Sequence, residues 1–350
     1  MGIRAFKLGV DELNIGLIIA ACLIAIQVPF ELFLFSYAVL GPLHYLTQLS
    51  WLHDRRYYVG ESKDSVILAG LCLFGFLLSL LVEVAKMSNA EWLRSGNLLA
   101  HTQLTAITVG FVAFGMALVF SLRVAPFVKC LVLVALSLIG TGVAYSDAAY
   151  TYYLLFAVFL PTIVHVYLFT AFFLVYGALK NRSIGGICSV ATYVACTLAL
   201  FTYPVGTDGF QLSSEIRDAY EVSFAFLNRE IMGLLQPAPI AESDIYATSH
   251  GVFITRFIAF AYTYHYLNWF SKTSVIRWHE VPSRRIFGIV LAWIAAVCLF
   301  VVDFQTGLLV VGFLGLLHIF MEFPLDWIVF RGIFRELRAI SSKGWSNVSA

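Results

Sequence analysis

Apolar residues run in long blocks along this chain, at about 14–40, 65–86, 99–122, 127–146, 151–178, 184–204, 250–271, 286–305 and 307–330. Each block reaches the roughly 20 residues that an α-helix needs to cross about 30 Å of hydrocarbon. The pattern predicts an all-α fold, a polytopic transmembrane helix bundle of about nine spans. The first and fifth blocks exceed one crossing and contain Pro29 and Pro161, so a kink or tilt is expected in each. The joints at 146–151 and 305–307 leave almost no loop, as in tight helical hairpins.

One long connection, 205–249, departs from this pattern. It carries Asp208, Glu215, Asp218, Glu221, Glu230, Glu242 and Asp244 against two arginines. Within 212–235, Ile216, Tyr220, Phe224 and Leu227 recur at helix-like intervals, predicting an amphipathic helix that caps the outer face and ends at Pro237 and Pro239. The whole chain, 1–350, otherwise reads as a single integral membrane domain without internal repeats.

Composition agrees with this class. Hydrophobic residues make up 60% of the chain and charged residues 12%, against about 25% charged in a soluble domain. A formal net charge of +1 and the absence of a basic run exclude a nucleic-acid partner. With nine spans and an external N-terminus, fifteen Lys and Arg fall inside and six outside, with Arg256 inside a block. That bias follows the positive-inside rule. It places the N-terminus outside and the C-terminus inside, in what is expected to be a bacterial inner (cytoplasmic) membrane, with membrane lipids as partners. The first block lacks a small-residue cleavage site and reads as a retained helix. The six cysteines sit in apolar runs without a CxxC pair and read as small core residues.

Polar side chains at bilayer depth are costly and face a protein interior or cavity. His44, His165, His265, His318 and Glu322 are such residues. His165, His265 and His318 are expected to share a layer. His318, Glu322 and Asp326 follow an i, i+4, i+8 spacing that keeps them on one helical face. His44 follows Gly41-Pro42, read here as a break at the inner end of the first span. Glu31 is thirteen residues away, too far along a straight helix to join the same centre. Arg256 is expected to pair with Asp147 or Asp303, or to snorkel outward.

Imidazole and carboxylate together ligate non-haem iron, manganese and zinc, so His44, His165, His265, His318 and Glu322 form a candidate metal site. Ligating histidines usually donate their other ring nitrogen to an acceptor. Glu31, Tyr45, Tyr167, Tyr264, Tyr266, Asn268 and Asp326 are the candidates for supporting roles. A lone intramembrane histidine is as readily an interhelical hydrogen bonder, contributing about 0.6–2 kcal/mol; several at matching depth favour ligation.

The stretches 42–56, with His44, Tyr45, Gln48 and Trp51, 262–273, with Tyr264, His265, Tyr266 and Asn268, and 317–325, with His318 and Glu322, resemble signatures of uncharacterised bacterial polytopic membrane proteins. More distantly, the chain is similar to histidine-rich membrane iron oxygenases of the β-carotene-cleaving Brp/Blh type. That resemblance implies that His44, His165, His265 and His318 are iron ligands and that the substrate is a lipophilic small molecule. The HxxxH and HxxHH boxes of membrane desaturases do not occur here. Two other readings stand beside this one. Paired histidines would serve as axial ligands of a b-type haem. The His318, Glu322, Asp326 stripe would suit a proton-coupled transporter, or the chain would be a non-catalytic subunit with a membrane-complex partner.

Overall fold

A computed structural model describes residues 9–87, 96–122, 124–205, 210, 212–235, 240–272 and 276–345. Among them the secondary structure is helical, without strands. The membrane-length helices are α1 (Val10–Gln27), α2 (Pro29–Asp54), α3 (Ser62–Met87), α4 (Gly96–Phe120), α5 (Pro126–Ala144), α6 (Ala149–Asn181) and α7 (Ile184–Thr202). Three short helices follow, α8 (Ser214–Ser223), α9 (Ala225–Leu235) and α10 (Asp244–Ala247), and then α11 (Ser249–Ser271), α12 (Ser283–Val302) and α13 (Phe304–Lys343).

Nine of these helices are long and apolar enough to cross a membrane. The total matches the expectation, but its membership differs at two places. The first predicted span is two helices that meet at Val28, whose φ of −137° and ψ of 62° leave the helical region just before Pro29. Proline lacks the N–H that would continue the ladder, and it favours an extended residue before it. The seventh predicted span does form a helix, α11, but it is not among the nine most apolar. It is buried along nearly its whole length and carries Arg256, Thr263, Tyr264, His265 and Asn268 inward. A helix surrounded by protein can carry polar groups that a lipid-facing helix cannot. By contrast, α5 and α12 expose Phe127, Leu131, Leu138, Phe287 and Leu291, an apolar surface that lipid, not water, would cover.

The helices group into two compact units. The first comprises Met1–His44, Val166–Leu308 and Gly332–Ala350, and α11 is its axis. Asn14 of α1 accepts hydrogen bonds from Tyr264 and Ser271 toward the end of α11, whereas Phe30 packs on Tyr246 just before its start. Ser36 then meets Thr263, and His44 meets His265. The chain therefore runs along α11 in one direction through α1, reverses at Pro29, and returns through α2. Asp11 accepts from Ser183 at the α6–α7 corner, and Arg182 at the same corner binds Glu336 of α13 at 3.2 Å. Asp11 and Glu336 thus lie at the same corner of this unit.

Within the stretch 212–235, where one amphipathic helix was expected, the chain forms two helices, α8 and α9. Tyr220, Phe224 and Leu227 are buried, with Tyr220 against Phe30 and Phe33. Pro237 and Pro239 lie outside the described residues. Arg256 is buried and donates to the carbonyls of Tyr203 and Pro204, over the rings of Tyr203, Phe210 and Phe253; it neither pairs with Asp147 or Asp303 nor snorkels. Cys130, Cys188 and Cys298 are exposed, unlike the buried Cys22 and Cys72.

The second unit comprises Tyr45–His165 and Leu309–Arg331. Lys129 of α5 binds the buried Asp64 of α3 at 2.9 Å and Glu61 at 3.2 Å. Trp327 of α13 donates to the carbonyl of Phe114, Arg331 donates to Ser121, and Phe323 packs edge-on against Phe114. These contacts fix α13 parallel to α4.

The arrangement of the first unit is open to a labelling test. In a background lacking the six native cysteines, V10C and K343C should react with a membrane-impermeant thiol reagent from the same side, and E215C in α8 from the other. Reaction of V10C and K343C from opposite sides would contradict the reversal at Pro29.

Candidate metal centre

Two of the helices that carry candidate ligands are locally widened. In α6 the stretch Leu154–Phe169 is π-helix and contains both Pro161 and His165; in α2 a π-helical turn, Ser36–Leu40, ends four residues before His44. Inside an α-helix, proline removes an i→i−4 bond and its ring clashes with the carbonyl one turn back. A wider turn relieves that clash. It also resets the face on which the following side chains emerge, and π segments recur at functional sites for that reason. Pro42 illustrates the correction: α2 continues through Gly41-Pro42 to Asp54, so His44 sits within a helix and not beyond a break.

In the second unit, His165 of α6 meets His318 and Glu322 of α13. The two Nε2 atoms lie 3.2 Å apart, and a Glu322 carboxylate oxygen is 3.6 Å from His165 Nε2. All three side chains are buried, and one ligand atom from each falls within 4.8 Å of the others. The expected face of α13 is present, with His318, Glu322 and Asp326 all at 5% exposure or less. Tyr45 stacks on the His318 ring, centroids 4.3 Å apart and planes inclined by 21°.

Bond lengths set the spacing that the ligands of one ion would have. Two ligands at about 2.0–2.2 Å from one ion are about 2.8–3.6 Å from each other in octahedral or tetrahedral geometry. The observed 3.2 Å and 3.6 Å fall in that interval. Without an ion the two histidines share one proton between their Nε2 atoms; with one, both lone pairs converge.

In the first unit, His44 and His265 form a second imidazole pair, Nε2 to Nε2 at 3.1 Å. Its protonation can be worked out atom by atom. The Thr170 hydroxyl donates to the Val166 carbonyl at 2.7 Å, so its oxygen is the acceptor in the 2.8 Å contact with His265 Nδ1. A hydroxyl has one proton to give. His265 is therefore protonated at Nδ1 and turns the lone pair of Nε2 toward His44. Tyr266 packs against both rings, and Trp269 edges onto His44. Thr170 had no signal in the sequence beyond being a polar residue in an apolar block.

The remaining candidates are placed as follows. Tyr45 and Tyr266 touch ligand-candidate rings, as described. Asp326 continues the α13 face, and both its carboxylate oxygens are buried without a hydrogen-bond partner among the described residues. Tyr167 bonds Thr197, and Tyr264 bonds Asn14. Asn268 is buried, its side-chain oxygen without a hydrogen bond among the described residues, and Glu31 lies on the first turn of α2.

The Thr170 chain predicts a spectroscopic result. In ¹⁵N-histidine spectra of the purified protein, His265 should appear as the Nδ1–H tautomer, and T170V should convert it to a mixture and cost about 1 kcal/mol of stability. An unchanged His265 signal in T170V would refute the assignment.

Comparison with family models, curated proteins and solved structures gives no match for this chain.

Proposed function

We propose that this protein is a metal-dependent integral membrane oxidoreductase acting on a lipid-soluble substrate, with non-haem iron held by His165, His318 and Glu322. The observation that carries this reading is the buried donor set, two imidazole Nε2 atoms 3.2 Å apart with a carboxylate oxygen 3.6 Å from one of them. Two histidines and one carboxylate, leaving open positions, are the donors characteristic of non-haem iron(II) oxygenases. Iron bound there would supply oxygen activation.

The chain's own residues would do the rest. His318 and Glu322, one turn apart on α13, fix two donor positions on a single rigid element. Tyr45 holds the plane of the His318 ring. Burial of all three donors excludes water, which strengthens their electrostatic interactions and suppresses side reactions. Asp326, a further turn along the same face, offers a carboxylate able to hold or pass a proton. The end bearing Asp11, Lys180, Arg182, Arg335 and Lys343 is assigned to the cytoplasm on the positive-inside rule.

A b-type haem fits less well. With metal–imidazole bonds of about 2.0–2.1 Å, axial nitrogens stand about 4 Å apart across a macrocycle, wider than the 3.2 Å and 3.1 Å contacts seen here. A proton path through α13 is the second reading, favoured by the unbonded Asp326 carboxylate.

Metal analysis of the purified protein should give roughly one iron per chain with no Soret band, and H165A, H318A and E322Q should each lower metal content by about tenfold or more while remaining folded. Wild-type protein without bound metal would overturn the proposal. Proton uptake in proteoliposomes that is abolished by D326N would establish the second reading in its place.

A further inference from the structure

Within the second unit, a partly open cavity of about 230 Å³ lies between α3, α4, α6 and α13. Among the described residues its lining contains no charged side chain, and its polar side chains are Ser79, Gln103 and Tyr153. These three share one level. Ser79 lies toward the end of α3, and Gln103 and Tyr153 lie near the starts of α4 and α6, at the end of the unit where His101 bonds Tyr145. Phe323 lies at the opposite end of the cavity, since it packs on Phe114, eleven residues further along α4 than Gln103. The cavity therefore has a polar mouth and an aromatic floor.

The floor is built from the helices that carry the ligand candidates. Pro161 precedes His165 by four residues, Phe320 sits between His318 and Glu322, and Phe323 directly follows Glu322. At the mouth, Ser79 already donates to the Gly75 carbonyl. The half-buried Gln103 lines the mouth, and its amide offers both a donor and an acceptor there. A neutral oxygen would match it. A carboxylate or phosphate would find no cation among the described lining residues. The volume lies just below the roughly 300–1,000 Å³ of pockets that enclose whole drug-sized ligands, which suits one linear chain and not a fused-ring body.

We propose that this cavity binds an uncharged single-chain lipid alcohol or aldehyde, its oxygen at Gln103 and its chain directed to the His165, His318, Glu322 centre. This names the substrate class of the reading above and rests on it for the chemistry, though not for the binding.

The test uses the full-length protein in detergent and hexadecanol bearing a diazirine at its tail end. Irradiation followed by peptide mapping should place the label on 156–161 or 316–323. Unlabelled hexadecanol should compete roughly tenfold better than palmitate. G110F should lower labelling roughly tenfold, because Gly110 faces the cavity with only the Phe156 carbonyl near its missing side chain, at 3.7 Å. Q103L, a milder change at the mouth, should abolish the preference for alcohol over hexadecane and so keeps the test decisive if G110F fails to fold. Labelling confined to the exposed faces of α5 and α12, or unaffected by G110F, would overturn the cavity; equal competition by palmitate would overturn the neutral head group. Metal content measured on the same samples separates the two claims. Labelled protein without metal refutes the metal reading alone, and metal-loaded protein without cavity labelling refutes the present inference alone.

Discussion

A polar side chain inside a lipid-embedded helix bundle has no water to turn to, so each must find its partner in another helix or impose a penalty on the fold. In this protein the constraint operates most strongly on imidazole. Four buried histidines meet in two Nε2-to-Nε2 pairs, at 3.1 Å and 3.2 Å, in two compact units. A pair of neutral imidazoles can share one proton between its Nε2 atoms, which leaves each Nδ1 to be met by another group, as Thr170 meets that of His265. Adding a buried carboxylate, as Glu322 does beside His165 and His318, brings one ligand atom from each residue to within 4.8 Å of the others, a grouping that could hold a metal ion.

Holding that arrangement requires helices that depart from ideal geometry. The π-helical stretches of α6 and α2 absorb Pro161 and precede Pro42 without ending either helix, and they redirect His165 and His44. On α13 no such device is needed, because His318 and Glu322 already share a face by their spacing. Rigid support comes from ordinary contacts: Trp327 and Arg331 tie α13 to α4, and Thr170 fixes the tautomer of His265.

Much of this was legible in the sequence, for identifiable reasons. Long apolar blocks report lipid burial directly, so the all-α bundle and the span count followed from hydropathy. Expensive residues in apolar blocks report the interior, so His44, His165, His265, His318 and Glu322 were expected inside the protein, and they are buried. Spacing along one helix reports one face, which gave the His318, Glu322, Asp326 stripe. What sequence cannot report is which helices face each other: His44 looked peripheral, yet it pairs with His265. Two proline effects were also misjudged. Pro29 reverses the chain where only a kink was expected, and Pro42 is accommodated where a break was expected, because a π turn can absorb what an α turn cannot. The polarity of α11 reflects its central position, a property of packing that no local window contains.

The central claim is that His165, His318 and Glu322 hold one metal ion, and X-ray absorption at the edge of the bound metal tests it most directly. The account predicts a shell of nitrogen and oxygen only, at about 2.0–2.2 Å, with the outer-shell scattering of two imidazoles, which falls to that of one in the metal that H318A retains. A sulfur-containing shell, or one without imidazole scattering, would contradict it.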